Sequence, residues 1–200
     1  MTSGRICNGP YLLAPGTRQI TVAWETEEPA SFYVTCRASD GTKLRREAEA
    51  AREPSCPEHP GGALIYTAVL TALSPDTEYA YAVCSGEECC AQASFRTLKE
   101  APQALHLMTI SDSHLFHASE AFRRAAEREQ PEFLLHAGDI SFGTGYQHDQ
   151  YPNNWFEKIP ELLARMPVFY AHGNHDDGPF FDAFIGTPQM KGLQRGSLLF

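Results

Sequence analysis

The stretch "PVFYAHGNHDD", Pro167 to Asp177, runs an apolar segment straight into a cluster of polar residues. The first four residues read as a short buried strand. Behind it, two histidines, an asparagine and two aspartates crowd around Gly173. The same plan occurs twice upstream, in "EFLLHAGDIS" (132–141) and in "ALHLMTISDSH" (104–114). Between these units lie "SEAFRRAAEREQ" (119–130) and "NNWFEKIPELLARM" (153–166), both helix-like. Ser119 is the expected cap of the first helix, with Phe122 and Ala126 on one face and Pro131 closing it. Asn153 or Asn154 would cap the second, and Pro160 would kink or restart it. The order βαβαβ predicts a parallel sheet with helices on its faces. In such sheets functional groups gather beyond the carboxyl ends of the strands. Asp112, His114, Asp139, Asn174 and His175 should therefore meet at one rim.

These residue types suit a pair of cations. Asp112 and His114 are two apart, so in extended backbone both side chains reach the same way. Asp139 follows Gly138, whose missing side chain permits close approach, and its two carboxylate oxygens can bridge two ions. Asn174 offers a neutral carbonyl oxygen, again behind a glycine. Mixed oxygen and imidazole donors suit manganese, iron, zinc or nickel. Two divalent ions carry more charge than Asp112 and Asp139 return, and the excess attracts phosphate and acidifies water. His175 would contact phosphate or protonate a leaving group. Asp176 would orient its imidazole and keep it protonated. His136 and His172 are expected to fill strand ends as structural residues, and His117 and His148 to be exposed.

The first half differs in chemistry. All six cysteines fall between Cys7 and Cys90, and seven of the eight histidines lie after residue 100. A boundary near "TLKEAPQ" (97–103) separates two domains, 1–99 and 100–200. "QITVAWET" (19–26) alternates, with Ile20, Val22 and Trp24 on one face. "SFYVTCRA" (31–38), the pair of runs in "LIYTAVLTALSPDTEYAYAVC" (64–84) and "ASFRTL" (93–98) continue the pattern, with Pro75 and Asp76 in the turn. Short strands with turn signals between them predict an all-β sandwich. The cysteines contain no CxxC pair and so no zinc framework. Cys36 and Cys84 could bridge between neighbouring strands, or remain buried thiols.

The chain carries a net charge of −9 and no basic cluster beyond "KLRRE" (43–47), which reads as a solvated face. Binding to a nucleic-acid backbone is not expected. No apolar run approaches the ~20 residues of a membrane span. No long apolar leader segment is visible at the start, which favours a cytoplasmic protein, with an exported one as the alternative.

The series Leu73, Pro75, Thr77, Tyr79, Tyr81, Val83 resembles the corner of fibronectin type III domains, where a tyrosine caps the turn through its hydroxyl. Trp24 resembles the core tryptophan of that family. "PYLLAPGTRQITVAWET" (10–26) with the later "FRT" is similar to the N-terminal domain of purple acid phosphatases. "SDSH", "GDIS" and "GNHDD", in that order, resemble the calcineurin-like metallophosphoesterases. That resemblance implies two divalent metal ions, with Asp112 and His114 on the first, Asp139 bridging and Asn174 on the second. It implies catalysis by His175 beside Asp176, and a phosphoester substrate. Two features depart from purple acid phosphatases. His114 stands where they have glycine, and Phe142 stands where they have a tyrosine ligand, so a colourless divalent site is expected. The family also supplies further histidines downstream, and none follows His175 here. The expectation is a truncated α/β domain, incomplete at its carboxyl end, with weak metal binding. The competing reading is a non-catalytic carbohydrate- or protein-binding module with a vestigial metal site.

Overall fold

The computed structural model describes residues 4–52, 64–102 and 104–186. Among them, the alternation of the first half produces eight strands: β1 (Ile6–Leu13), β2 (Ile20–Thr26), β3 (Phe32–Ala38), β4 (Lys43–Glu47), β5 (Glu49–Arg52), β6 (Leu64–Leu70), β7 (Glu78–Ser85) and β8 (Glu88–Arg96). They form two four-stranded sheets, ordered β1-β2-β6-β5 and β4-β3-β7-β8, and all neighbours are antiparallel. Trp24 is fully buried between the sheets, stacked on Tyr66 at 5.8 Å and edge-on to Phe32 at 5.6 Å. The Tyr79 hydroxyl accepts a hydrogen bond from the Ser74 amide at 2.9 Å, as the corner motif requires. The charged residues of "KLRRE" are exposed while Leu44 packs against the core; its backbone pairs with β3 as an edge strand, and Arg45 lies 3.5 Å over the Tyr33 ring.

Of the two alternatives for Cys36 and Cys84, the bridge is excluded by register and the buried thiols stand. Cys36 stands opposite Tyr81 and Cys84 opposite Tyr33, so the two sulfurs sit on different rungs. Cysteines 7, 36, 84, 89 and 90 are free thiols. Burial pushes the Cys36 thiol up to about 11, which keeps it protonated and inert.

The second half follows the expected order: β9 (Leu107–Ile110), α1 (Ser119–Glu129), β10 (Phe133–His136), a π turn (Pro152–Phe156), α2 (Pro160–Leu163), β11 (Val168–Tyr170) and α3 (Pro179–Phe184). The strands pair in parallel in the order β11-β10-β9. Ser119 is the first helical residue and not the cap; Ala118 holds that position without a side-chain bond. The second helical stretch restarts at Pro160, as expected. Its first part begins at Pro152, ahead of Asn153 and Asn154, because proline is already preset for a helix start. The Asn154 amide instead donates to Gln150 Oε1 at 3.1 Å. No helix among the described residues is long and apolar enough to cross a membrane.

Every residue of β2 is buried, which alternation alone does not explain. Ile20, Val22 and Trp24 face the other sheet, while Ala23 on the opposite face joins a second core with Tyr11, Leu13 and Ile65. The α/β half covers that outer face of the sandwich, through Trp155, Phe156 and Phe184. Tyr11 packs on Phe156 at 4.2 Å and donates its hydroxyl to the Phe184 carbonyl at 2.8 Å. Tyr81 donates to the Ala164 carbonyl at 2.7 Å.

His148 corrects the sequence reading. It is 2 % exposed, not on the surface, because the sandwich closes over it. Its Nε2 lies 2.6 Å from the buried Glu25 carboxylate on β2, and its Nδ1 lies 2.7 Å from Asp149. Both ring nitrogens face carboxylate oxygens, so both donate and the ring is an imidazolium. The other Glu25 oxygen accepts from the Asn8 amide at 2.6 Å. Burial alone would lower the His148 pKa, but the hydrogen bonds and charges of Glu25 and Asp149 outweigh it and hold the pKa above its ordinary value. A group with a raised folded pKa contributes stability that is complete below the unfolded value, about 6.5. That contribution is lost as pH rises through the folded value. Urea unfolding midpoints between about pH 6 and 9 should therefore fall with pH, and His148→Leu should flatten that trend. A wild-type midpoint as steep in His148→Leu would assign the dependence elsewhere.

Candidate metal centre

The three polar loops leave the carboxyl ends of β9, β10 and β11 and lock together through their backbones. The Asp112 amide donates to the Gly138 carbonyl at 3.0 Å, and the His114 amide to the Asp139 carbonyl at 3.3 Å. The ladder between the strands ends just before, with Ala137 N–H on Ile110 and Ala171 N–H on His136, each at 2.8 Å. Asp112, His114 and Asp139 all adopt left-handed backbone, at φ 50°, 43° and 59°. Asp112 and His114 are thus not in the extended conformation that i, i+2 spacing suggested; the chain turns sharply as soon as β9 ends. Left-handed non-glycine residues cost on the order of 1–2 kcal/mol each and concentrate at functional sites.

Two glycines permit the loops to touch. Gly138 has φ 103°, and a Cβ built on it would lie 2.7 Å from the Gly173 amide nitrogen. A Cβ on Gly173 would collide with the Asp139 amide and carboxylate. With both side chains absent, Asp139 sits directly against the "GNHDD" loop, and the His175 amide donates to its Oδ1 at 2.8 Å.

His114, Asp139 and His175 present donor atoms that all lie within 4.8 Å of one another. His114 Nδ1 is 2.8 Å from the Ser141 carbonyl, and His175 Nδ1 is 3.0 Å from the Gly143 carbonyl. A carbonyl only accepts, so each Nδ1 carries the proton, which leaves each Nε2 with a lone pair for an ion. The rings meet edge to face at 5.0 Å. Histidines that ligate metals are oriented in this manner, with the distal N–H spent on a backbone carbonyl. Two imidazole nitrogens and a carboxylate fit a first-row divalent ion. Asp112 lies on the same rim, exposed, but its carboxylate is outside this group of donors. Asn174 is exposed between Gly173 and His175.

Asp176 takes a different place from the one expected. His175 spends its Nδ1 proton on Gly143, not on Asp176. The Asp176 side chain is fully buried and accepts the amides of Asp139 at 2.8 Å and of Ile140, Ser141 and Gly173 at 3.1 Å each. The Tyr151 hydroxyl adds a longer bond of 3.4 Å. Burial, then the Asp176 charge, push the Tyr151 pKa up, so that hydroxyl remains a donor. Four successive or facing amides converging on one carboxylate set the shape of the Asp139 loop. The correction has a physical cause: a carboxylate with both oxygens committed to backbone amides has no lone pair aimed at an imidazole.

His136 is structural, as expected. It accepts the Gly138 amide at Nδ1 and donates Nε2–H to the Ser113 hydroxyl at 2.9 Å. Burial pushes its pKa down to about 3, so it stays neutral. His172 packs edge-on against Phe181 at 4.9 Å, and His117 is exposed. Phe142 is 56 % exposed and lies edge-on to His114 at 5.8 Å. The carbonyls of Ser141 and Gly143, and the Gln150 oxygen that accepts the amides of Phe142 and Gly143 at 3.1 and 3.2 Å, carry no sequence signal for their roles. The Gly, Tyr and Asn content of "SFGTGYQHDQYPNN" (141–154) fits a loop beside a site.

Comparison with known proteins agrees with this architecture. Residues 9–97 match the purple acid phosphatase N-terminal domain, and residues 105–197 match the calcineurin-like phosphoesterases. Purple acid phosphatase PPD1 from yellow lupin (Lupinus luteus) seeds superposes with a TM-score of 0.66 at 19% identity, over 85% of this chain and 36% of its own. PhoD superposes with a TM-score of 0.55 at 13% identity, over 82% of this chain and 38% of its own. At such identities the likeness is one of fold, and the chain spans little more than a third of the length of either structure. No curated protein sequence matches. The front half is thus similar to the purple acid phosphatase N-terminal domain, and the second half to the calcineurin-like phosphoesterases.

Proposed function

We propose that this chain serves the metal-dependent hydrolysis of phosphoesters, with residues 1–99 as the supporting sandwich and 100–200 as the phosphoesterase part. The observation that carries this reading is the cluster of His114, Asp139 and His175, with both Nδ1 atoms bonded to backbone carbonyls. Asp112 and His114 would hold one divalent ion, with Asp139 shared and Asn174 serving the other, Asp112 and Asn174 lying on the same rim outside the cluster. Bound there, two such ions supply charge for the phosphate and lower the pKa of water. His175, anchored on Gly143 through Nδ1, would contact a phosphoryl oxygen or protonate a leaving group once its Nε2 also carries a proton. Phe142 offers no phenolate, so the loaded protein should be colourless in the visible with manganese or zinc.

Asp139→Asn tests the proposal. The amide keeps the size of the side chain but loses the charge and the bridging capacity. Mn²⁺ affinity, measured by calorimetry, should fall by at least about 100-fold, beyond the 10–100-fold typical of outer contacts. Hydrolysis of p-nitrophenyl phosphate and its bis ester should fall in parallel. Unchanged Mn²⁺ binding in Asp139→Asn would remove the centre from this rim.

A further inference from the structure

We infer that Glu25 and His148 are positioning residues: the sandwich domain uses this buried pair to hold the loop whose carbonyls aim the two imidazoles of the metal centre. The inference rests on the metal reading above only for its consequence, not for its geometry. The pair joins residues 123 apart in sequence, one on β2 and one in the loop after β10. Both partners are nearly fully buried, with side chains 3 % and 4 % exposed. The loop between Ser141 and Tyr151 is fastened along its length, with the Phe180 amide on the Gly145 carbonyl at 3.1 Å and three side-chain anchors. Asp176 grips its start through the Ile140 and Ser141 amides. Gln150 grips its middle by accepting the Phe142 and Gly143 amides. His148, two residues from Gln150, fastens the far side to Glu25. The two carbonyls that orient His114 and His175 belong to Ser141 and Gly143, inside the stretch so framed. A paired charge in a dry interface is directional and excludes sliding, which apolar packing by Phe180 and Phe184 against the same ring does not. The front domain is then a structural part of the centre, not a spacer.

The test uses the 200-residue chain with Co²⁺ as probe, read by visible absorption, and amide hydrogen exchange at Phe142 and Gly143. Glu25→Leu and His148→Leu each remove one partner. The double variant pairs two apolar side chains and keeps the chain folded if a single change strands a buried charge. Tyr81→Phe is the control, since it deletes a different bond between the same two domains. Expected is a loss of about tenfold in Co²⁺ affinity for the Glu25 and His148 variants, the lower end for contacts outside the ligands themselves. Exchange at Phe142 and Gly143 should quicken in them and stay at the wild-type rate in Tyr81→Phe. Wild-type exchange and affinity in the double variant, or equal losses in Tyr81→Phe, would overturn the inference. If the wild-type chain takes up no Co²⁺, the metal reading fails by itself, and the exchange rates alone decide the positioning role.

Discussion

Replacing Asp176 with alanine is expected to destabilise the chain by about 3–5 kcal/mol, the scale for leaving buried groups without their charged partner. Four backbone amides and the Tyr151 hydroxyl converge on this one side chain. Each buried donor left unsatisfied costs roughly 1–3 kcal/mol, and partial relaxation with entry of water keeps the total below the simple sum. Asparagine would not rescue the loss. Oδ1 accepts from Ile140 and Ser141, and Oδ2 from Asp139 and Gly173. Whichever of the two becomes an NH₂ group then faces two amide donors. Urea denaturation of Asp176→Ala and Asp176→Asn checks this. A wild-type midpoint in Asp176→Asn would mean that the carboxylate acts on chemistry and not on architecture.

Gly173→Ala should damage the centre more than the fold. The added methyl lands on the Asp139 carboxylate and amide, so Asp139 must move or the two loops must part. Overpacking of this kind costs about 1–3 kcal/mol. The same shift takes Asp139 out of reach of the His175 amide and of the His114 and His175 donors. Divalent-metal binding should be lost while the sandwich remains folded, with near-wild-type circular dichroism below the unfolding transition. Retained metal affinity in Gly173→Ala would show that the close approach of the loops is dispensable. Gly138→Ala meets the same obstacle from the other side, with the added burden of φ 103°.

Much of the architecture was readable before any coordinates. Ile20, Val22 and Trp24 alternate and do fill one core, and the Leu73–Tyr79 corner does close on the Tyr79 hydroxyl. Three apolar runs ending in polar loops become three parallel strands with their loops at one rim. The cluster formed there contains His114, Asp139 and His175. The misreadings share a type. His148 reads as a loop histidine on the surface, and Asp176 as the partner of His175. Each is a statement about which groups meet in space: His148 is decided by the domain that covers it, and Asp176 by the amides of the facing loop.

Local periodicity records which face of a segment avoids water, so the chain's own residues determined the strands, the sandwich core, the βαβαβ order and the meeting of three loops. Periodicity carries no record of what lies against the second face of β2, or of which backbone amides a carboxylate will find. Only the packing of the α/β half onto the sandwich turned Glu25 and His148 into a buried pair. Only the close contact at Gly138 and Gly173 brought four amides to Asp176. The reason is one of range: a buried polar group is fixed by partners far away in the chain, and in sequence it has the same letter as one exposed to water.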